Sequence, residues 1–167
     1  MGYVVKRASF FSLLFIFFGT EACQAPKQNA VNEFYSVVKV VDGDTFWVDD
    51  GSEDGLKVRL IGVDAPETRK SSRKDVGYYG KESKQYLEQM IAGKEVRLEY
   101  DVDTKDRYGR TLAYVYLHDG TFVNAELLRN GFAMVLTVPP NVRFADEFLD
   151  LQSEAREENR GLWRGVD

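Results

Sequence analysis

From residue 34 onward, apolar and polar positions alternate with the period of β-strands. A Val-rich segment at 35–41 is followed by a second alternating run at 45–48. The Asp-Gly pair that separates them is a strong hairpin signal. Residues 56–61 alternate in the same way after another polar turn. Three such segments, joined by tight turns, predict an antiparallel meander.

Further along the chain the apolar period lengthens to that of helices. Helical spacing predicts helices at about 79–91, 123–130 and 144–159, and Gly93 and Gly131 are suitable stops for the first two. These helices place apolar residues on one side, which predicts that each packs against a common core.

Two more alternating segments, 95–100 and 112–117, bring the number of predicted strands to five. Between the third strand and the first helix, residues 62–77 lose all periodicity and include the basic stretch 69–74, so we expect a long exposed loop there. Five short strands with helices inserted late fit a small barrel, with an OB-like barrel as one member, or an open α+β sandwich. The pattern alone leaves both open.

The first residues have the character of an export signal. Lys6 and Arg7 precede an apolar run at 8–18, and small residues follow. The run is well short of the ~20 apolar residues that a membrane-spanning helix needs. We therefore expect a signal peptide at 1–22 and an exported protein.

Cys23 follows that signal and resembles the lipid-modified cysteine of bacterial lipoproteins, although Thr20 stands where that pattern usually has Leu. The alternative is cleavage after Ala22, which leaves Cys23 as a free thiol. Residues 23–33 are polar and aperiodic, which predicts a flexible tether. The expected organisation is thus a signal, a tether and one domain at 34–167, lipid-anchored to the cell envelope or secreted.

Composition narrows the chemistry. One cysteine in 167 residues excludes a disulfide framework and a multi-cysteine zinc site, and one histidine argues against histidine-rich metal chemistry. The net charge of -5 argues against a polyanionic partner, but residues 57–110 hold 13 basic and 10 acidic side chains. Because salt screens charges beyond ~8–10 Å, the local sign matters more than the total. The charge pattern predicts weak, salt-sensitive binding of nucleic acid.

Polar residues near the predicted strand ends suggest a catalytic site. Asp44 and Asp64 both lie beside strand ends, and paired carboxylates with backbone carbonyls suit Ca²⁺ or Mg²⁺. Glu67 is close enough in sequence to act as a general base, while Arg59 and Arg110 can each grip a phosphate bidentately. Together these groups describe phosphodiester hydrolysis by an activated water. Taken singly, each has a simpler explanation, since Asp-Gly-Asp is usually a hairpin turn and an alternating Arg is usually solvated.

The order and spacing of these motifs resemble the staphylococcal nuclease (thermonuclease) family. The resemblance spans about Tyr35 to Trp163. It rests on Val-Asp-Gly-Asp-Thr at 41–45, Arg-Leu-Ile-Gly-Val-Asp-Ala-Pro-Glu-Thr at 59–68 and Asp-Arg-Tyr-Gly-Arg at 106–110.

The resemblance implies an OB-fold barrel of five strands with three helices, and Ca²⁺-dependent cleavage of DNA and RNA that leaves 3′-phosphate ends. We also expect a monomer. The resemblance also implies roles for single residues. Asp44, Asp64 and the backbone carbonyl of Ala65 would bind the metal. Arg59, Glu67 and Arg110 would be catalytic, and Arg107 and Tyr108 would contact the substrate.

Three positions depart from the family pattern. Ala65 stands where Thr is common, Arg107 replaces a lysine, and the tyrosines that flank the substrate base have no clear counterpart at Thr137–Pro139. Base stacking contributes ~1–3 kcal/mol per base, so its loss would alter affinity or base preference. The alternative function is a noncatalytic OB-fold module that binds nucleic acid or protein. Loss of the charged set marks such modules, and this chain retains the set.

Overall fold

The computed structural model describes residues 1–2, 33–68 and 77–165. Within this part of the chain there are seven strands, three α-helices and a short 3-10 helix. The strands are β1 (Phe34–Asp42), β2 (Thr45–Asp49), β3 (Leu56–Leu60), β4 (Gly62–Asp64), β5 (Glu95–Glu99), β6 (Thr111–Tyr116) and β7 (Met134–Leu136). The helices are α1 (Gly80–Ile91), α2 (Val123–Arg129), α3 (Ala145–Glu157) and the 3-10 turn Gly161–Trp163.

Five of the strands form a closed barrel in the order β1-β2-β3-β6-β5, with β5 returning to β1. The first three strands are the predicted meander, while β3 and β6 pair in parallel. The expectation of an OB-fold barrel with three helices is confirmed, and the open sandwich is excluded. Closure satisfies the strand edges that an open sheet would leave unpaired.

Alternation along the strands supplies the barrel interior. Phe46, Val48, Val58, Val96 and Val115 are fully buried, each at a position that points inward. A second apolar layer lies between the barrel and the helices, where Leu87 and Ile91 of α1, Leu127 of α2 and Phe148 of α3 are also buried. Because helices cover the barrel only in part, the outer face of the β1–β3 meander carries polar side chains.

The segment after β3 differs from the prediction. Residues 62–77 were expected to form a long exposed loop, yet Gly62–Asp64 forms β4 and pairs with β7, Gly62 opposite Leu136. Gly62 has φ +79°, and the Phe148 ring fills the space that a Cβ would need. Val63 is buried at 1% exposure, so the prediction of an exposed loop is wrong for this part. The basic stretch 69–74 lies outside the described residues.

The N-terminal predictions concern a part of the chain that precedes β1. The expected signal at 1–22, Cys23 and nearly all of the tether lie outside the described residues. Among the described residues, no helix has the length and apolar character needed to cross a membrane.

Candidate active site

Three charged side chains meet where the ends of β2, β3 and β4 converge. The guanidinium of Arg59 pairs with Asp44 through Nη1 and with Asp64 through Nη2, the latter at 2.8 Å. Nη2 also donates to the carbonyl of Val63 at 3.2 Å. The Arg59 side chain is only 12% exposed. One buried cation thus holds together the two carboxylates predicted to bind metal.

Asp44 is positioned by the tight turn between β1 and β2. Its Oδ2 accepts the backbone N–H of Ala65 at 2.8 Å, and its Oδ1 accepts the Thr45 hydroxyl at 2.9 Å. Gly43 allows this close approach, because a Cβ there would lie 2.6 Å from the Cβ of Ala65 and 2.9 Å from that of Ser83. The turn is therefore both a hairpin and a part of the site.

The pKa of Arg59 reflects the charged groups around it. Burial lowers its pKa, and the positive charge of Arg110 acts in the same direction. The hydrogen bond and charge of Asp64, with the charge of Glu67, raise that pKa. The two arginines predicted to bind phosphate and the predicted base consequently lie within electrostatic reach of one another, in surroundings where charges interact more strongly than in water.

Glu67 is held by its backbone against the start of α1. Its carbonyl accepts the N–H of Gly77 at 2.9 Å. Gly80, the first residue of α1, packs so tightly on Glu67 that a Cβ would meet the Glu67 backbone. These two glycines therefore set where the Glu67 side chain begins, a role that sequence patterns do not reveal.

Asp42 is a residue that the sequence interpretation treated only as part of a turn. Burial raises the pKa of its carboxyl and the neighbouring Glu67 carboxyl raises it further, while hydrogen bonds from the Gly43 N–H and from Thr68 lower it. Asp42 and Glu67 thus form an interacting carboxyl pair at the edge of the site. The sequence spacing could have indicated this position, since Gly43 alone separates Asp42 from Asp44.

Arg110 is oriented by a compact turn before β6. Its Nε donates to Oδ2 of Asp106 at 2.6 Å, and the Asp106 Oδ1 accepts the backbone N–H groups of Tyr108 and Arg110 at 2.9 and 3.0 Å. Burial raises the pKa of Asp106, but the Arg110 contacts outweigh it and the net pKa is lowered. The Tyr108 ring lies against Arg107 at 4.8 Å and Arg110 at 5.5 Å.

A hollow of about 470 Å³ opens beside these arginines. Arg59 and Arg110 line it together with the more exposed Arg107 and Tyr108, which lie at its rim, so Arg107 joins the hollow but not the buried cluster. An aliphatic wall is formed by Leu136, Val138, Pro139 and Pro140, and Asn141 adds a polar side chain to the lining. Among the described residues that line the hollow, Tyr108 is the one aromatic side chain, which agrees with the missing tyrosines noted at Thr137–Pro139.

The donor set suits a hard cation. Among the described residues no group of three or more Asp, Glu, His or Cys side chains could hold an ion. The protein would supply the carboxylates of Asp44 and Asp64 with the carbonyl of Ala65. Such oxygen ligands, completed by water, match the 6–8 coordination of Ca²⁺. Arg59 contacts one oxygen of each carboxylate, Oδ2 of Asp44 and Oδ1 of Asp64, and so fixes both beside the proposed ion position.

Comparison with known proteins adds independent information. A family described as staphylococcal nuclease homologue matches residues 57–165. A thermonuclease of Staphylococcus hyicus is 41% identical over 136 residues, covering 81% of this chain and 78% of that protein. A thermonuclease of Staphylococcus intermedius is 42% identical over 131 residues, 78% of this chain and 76% of that protein. An uncharacterized endonuclease of Escherichia coli is 39% identical over 132 residues, 78% and 77% of the two chains.

Proposed function

The chain belongs to the staphylococcal nuclease family, and from that premise we propose that it is a Ca²⁺-dependent nuclease that hydrolyses phosphodiester bonds of DNA and RNA. Nucleic acid is the substrate class that the relatives' names indicate for those proteins. The positive charge of Arg59, Arg107 and Arg110 around one hollow supports the same substrate class here.

One observation carries the proposal. Arg59 joins Asp44 and Asp64 in a buried cluster and feels the charges of both Arg110 and Glu67. A structural ion pair would need only one acid and one base. Two carboxylates, two guanidiniums and a further carboxyl within electrostatic reach of one another are the groups that a cation site, a phosphate clamp and a general base would need, which supports the proposal.

The residues divide the reaction between them. Glu67 accepts a proton from the attacking water, and the two arginines hold the nonbridging phosphate oxygens, where negative charge increases in the transition state. When bound, Ca²⁺ neutralises charge on the phosphate and orients the water. The water oxygen bonds to phosphorus, and the bond from phosphorus to the 5′ oxygen breaks. The 5′ oxygen takes up a proton from solvent water, so the products are a 3′-phosphate and a 5′-hydroxyl.

The remaining substrate contacts lie at the rim. Arg107 provides a solvated positive charge, and Tyr108 provides an aromatic face beside it. The aliphatic wall of the hollow offers no ring for stacking, so we expect a nucleotide base to be held mainly by Tyr108.

The test is digestion of plasmid DNA and of RNA, each with Ca²⁺ and with a chelator. Glu67→Gln keeps the size of the side chain and removes its basicity, and we expect kcat to fall by about 10²- to 10⁴-fold. Exposed Glu82→Gln, on the first turn of α1, is the matched control and should digest normally. Absence of Ca²⁺-dependent digestion by the wild type, or full activity in Glu67→Gln, would contradict this proposal.

We also propose that the protein acts outside the cytoplasm as a monomer, anchored through a lipid on Cys23. Support comes from the apolar run at 8–18 and from the small residues before the cysteine. Cys23→Ser should move the protein from the membrane fraction to the soluble fraction. A wild-type protein that is already soluble after fractionation would show that it is secreted without an anchor.

A further inference from the structure

The outer face of the β1–β3 meander carries a row of two lysines with a tryptophan between them. Lys39 on β1 pairs in register with Trp47 on β2, and Trp47 pairs in register with Lys57 on β3. The ammonium groups lie 5.5 and 5.8 Å from the centre of the Trp47 ring. A ring face attracts cations, so Trp47 on β2 can hold two like charges on the strands that flank it, which would otherwise repel each other.

This lysine row borders a second hollow, of about 340 Å³. Lys84 of α1, Asp42 and Thr68 also line it. The basic groove, as we name this hollow, thus has three lysines against one carboxylate. Lys84 pairs with Glu88, 3.6 Å away, whereas Lys39 and Lys57 lie over the Trp47 ring, Lys39 exposed and Lys57 half-buried.

The basic groove is continuous in sequence and in contacts with the candidate active site. Asp42 interacts with Glu67, and Thr68 follows Glu67 directly. The first hollow is bordered by Arg59 and Arg110 and shares no lining residue with the basic groove. The basic groove therefore adjoins the candidate site on the Glu67 side, as a second positively charged surface apart from the hollow at the two arginines.

We propose that the basic groove binds the sugar-phosphate backbone of the nucleic-acid strand beyond the scissile bond, with Lys39 and Lys57 each contacting a phosphate. The inference rests on the proposed nuclease function for the identity of the strand. Its own support is the lysine row, its complementarity to a polyanion and its contact with Glu67 through Asp42. A chain with net charge -5 has little general attraction for nucleic acid, so a local track is required to retain a long substrate.

The test compares a long substrate, which reaches the groove, with a short one, which does not. Cleavage of a 20-nucleotide single-stranded DNA and of a dinucleotide is measured between 50 and 200 mM salt in Ca²⁺. In Lys39→Gln/Lys57→Gln we expect kcat/KM for the 20-mer to fall about three- to tenfold. Its slope against log salt should become shallower by about 1.4, at ~0.7 per phosphate contact in a single strand. Dinucleotide cleavage should not change.

Two control variants distinguish binding in the basic groove from an effect of net charge and from damage to the sheet. Lys94→Gln/Arg164→Gln removes two exposed positive charges outside the groove and should leave the salt slope unchanged. Lys39→Arg/Lys57→Arg keeps the charge and should retain the wild-type slope. Equal unfolding midpoints in urea for all three double variants show that the sheet is intact.

The outcomes distinguish this inference from the proposed function. If the wild type cleaves both substrates and Lys39→Gln/Lys57→Gln has the wild-type salt slope for the 20-mer, the groove proposal is overturned and the nuclease proposal is supported. If the wild type cleaves neither substrate, the nuclease proposal fails instead. In that case the groove is tested by fluorescence in Trp163→Phe/Glu67→Gln, where Trp47 is the remaining tryptophan, as the 20-mer is added. A change in Trp47 emission that disappears when Lys39 and Lys57 are also replaced supports the groove. No change in emission overturns it.

Discussion

Two regions of one three-stranded meander carry charge in opposite ways. At the strand ends, Arg59 is nearly buried and shares its guanidinium between Asp44 and Asp64. On the outer face, Lys39 and Lys57 flank Trp47 and remain in contact with solvent. Buried charges interact strongly and need specific partners, whereas exposed charges are screened by salt. In the first region the shape of each side chain matters, and in the second mainly its charge.

The strongest test of this difference exchanges arginine and lysine. In Arg59→Lys the charge is retained, but one ammonium cannot bridge Asp44 and Asp64 or grip a phosphate with two parallel hydrogen bonds. We expect kcat on the dinucleotide to fall by about 10²- to 10³-fold, as for loss of one donor to transition-state charge. The reverse exchange on the outer face, Lys57→Arg, should leave kcat unchanged. Similar effects at both positions would refute the contrast.

The second test adds Ca²⁺ to the protein without substrate. An ion that binds the folded state at a hundred times its Kd raises the free energy of unfolding by about 2.7 kcal/mol. We expect this increase in the wild type, by urea unfolding with Ca²⁺ or chelator, and its loss in Asp64→Asn. Asp54→Asn removes an exposed carboxylate from the same meander and should keep it. Equal stabilisation of the two variants would place the ion elsewhere.

The smallest expected effect concerns Asp106 and Arg110, which lie between the two extremes in exposure. The pKa of Asp106 is lower in the folded chain than in the unfolded chain, so the ionised carboxylate stabilises the fold. This contribution is complete above the unfolded-state pKa of about 4 and is lost as the pH falls through the lower, folded-state pKa. Asp106→Asn keeps an acceptor for the Tyr108 and Arg110 N–H groups, so it should cost less than about 1 kcal/mol at pH 7. The difference from wild type, measured by urea unfolding, should shrink as the pH is lowered from 5 to 2. A constant difference would mean that the charge of Asp106 contributes nothing.

The elements with regular periodicity could be predicted from the sequence. Five barrel strands and three helices have bounds close to those expected, because each is long enough to show a period of 2 or 3.6. The grouping of Asp44, Arg59 and Asp64 was also anticipated, since all three lie near strand ends that a meander brings together.

The rest depends on contacts that sequence patterns do not encode. Strands β4 and β7 have three residues each, too few to show alternation, and they form because Gly62 accommodates the Phe148 ring. Alternation alone would leave Arg59 in solvent, and only the neighbouring acids from other strands bury it. Likewise, Glu67 is placed by Gly77 and Gly80, which meet it only in the folded chain.

The parallel pairing of β3 with β6 has a consequence for how activity arises. This pairing puts Arg59 opposite Leu112 and so brings the first half of the site next to Arg110, while the pairing of β1 with β5 closes the barrel. Both pairings join segments that are far apart in the chain, so a long loop must be ordered before either can form. A partly synthesised or unfolded chain therefore has no working centre, and a cell that makes this protein is exposed to its activity only after the barrel has closed.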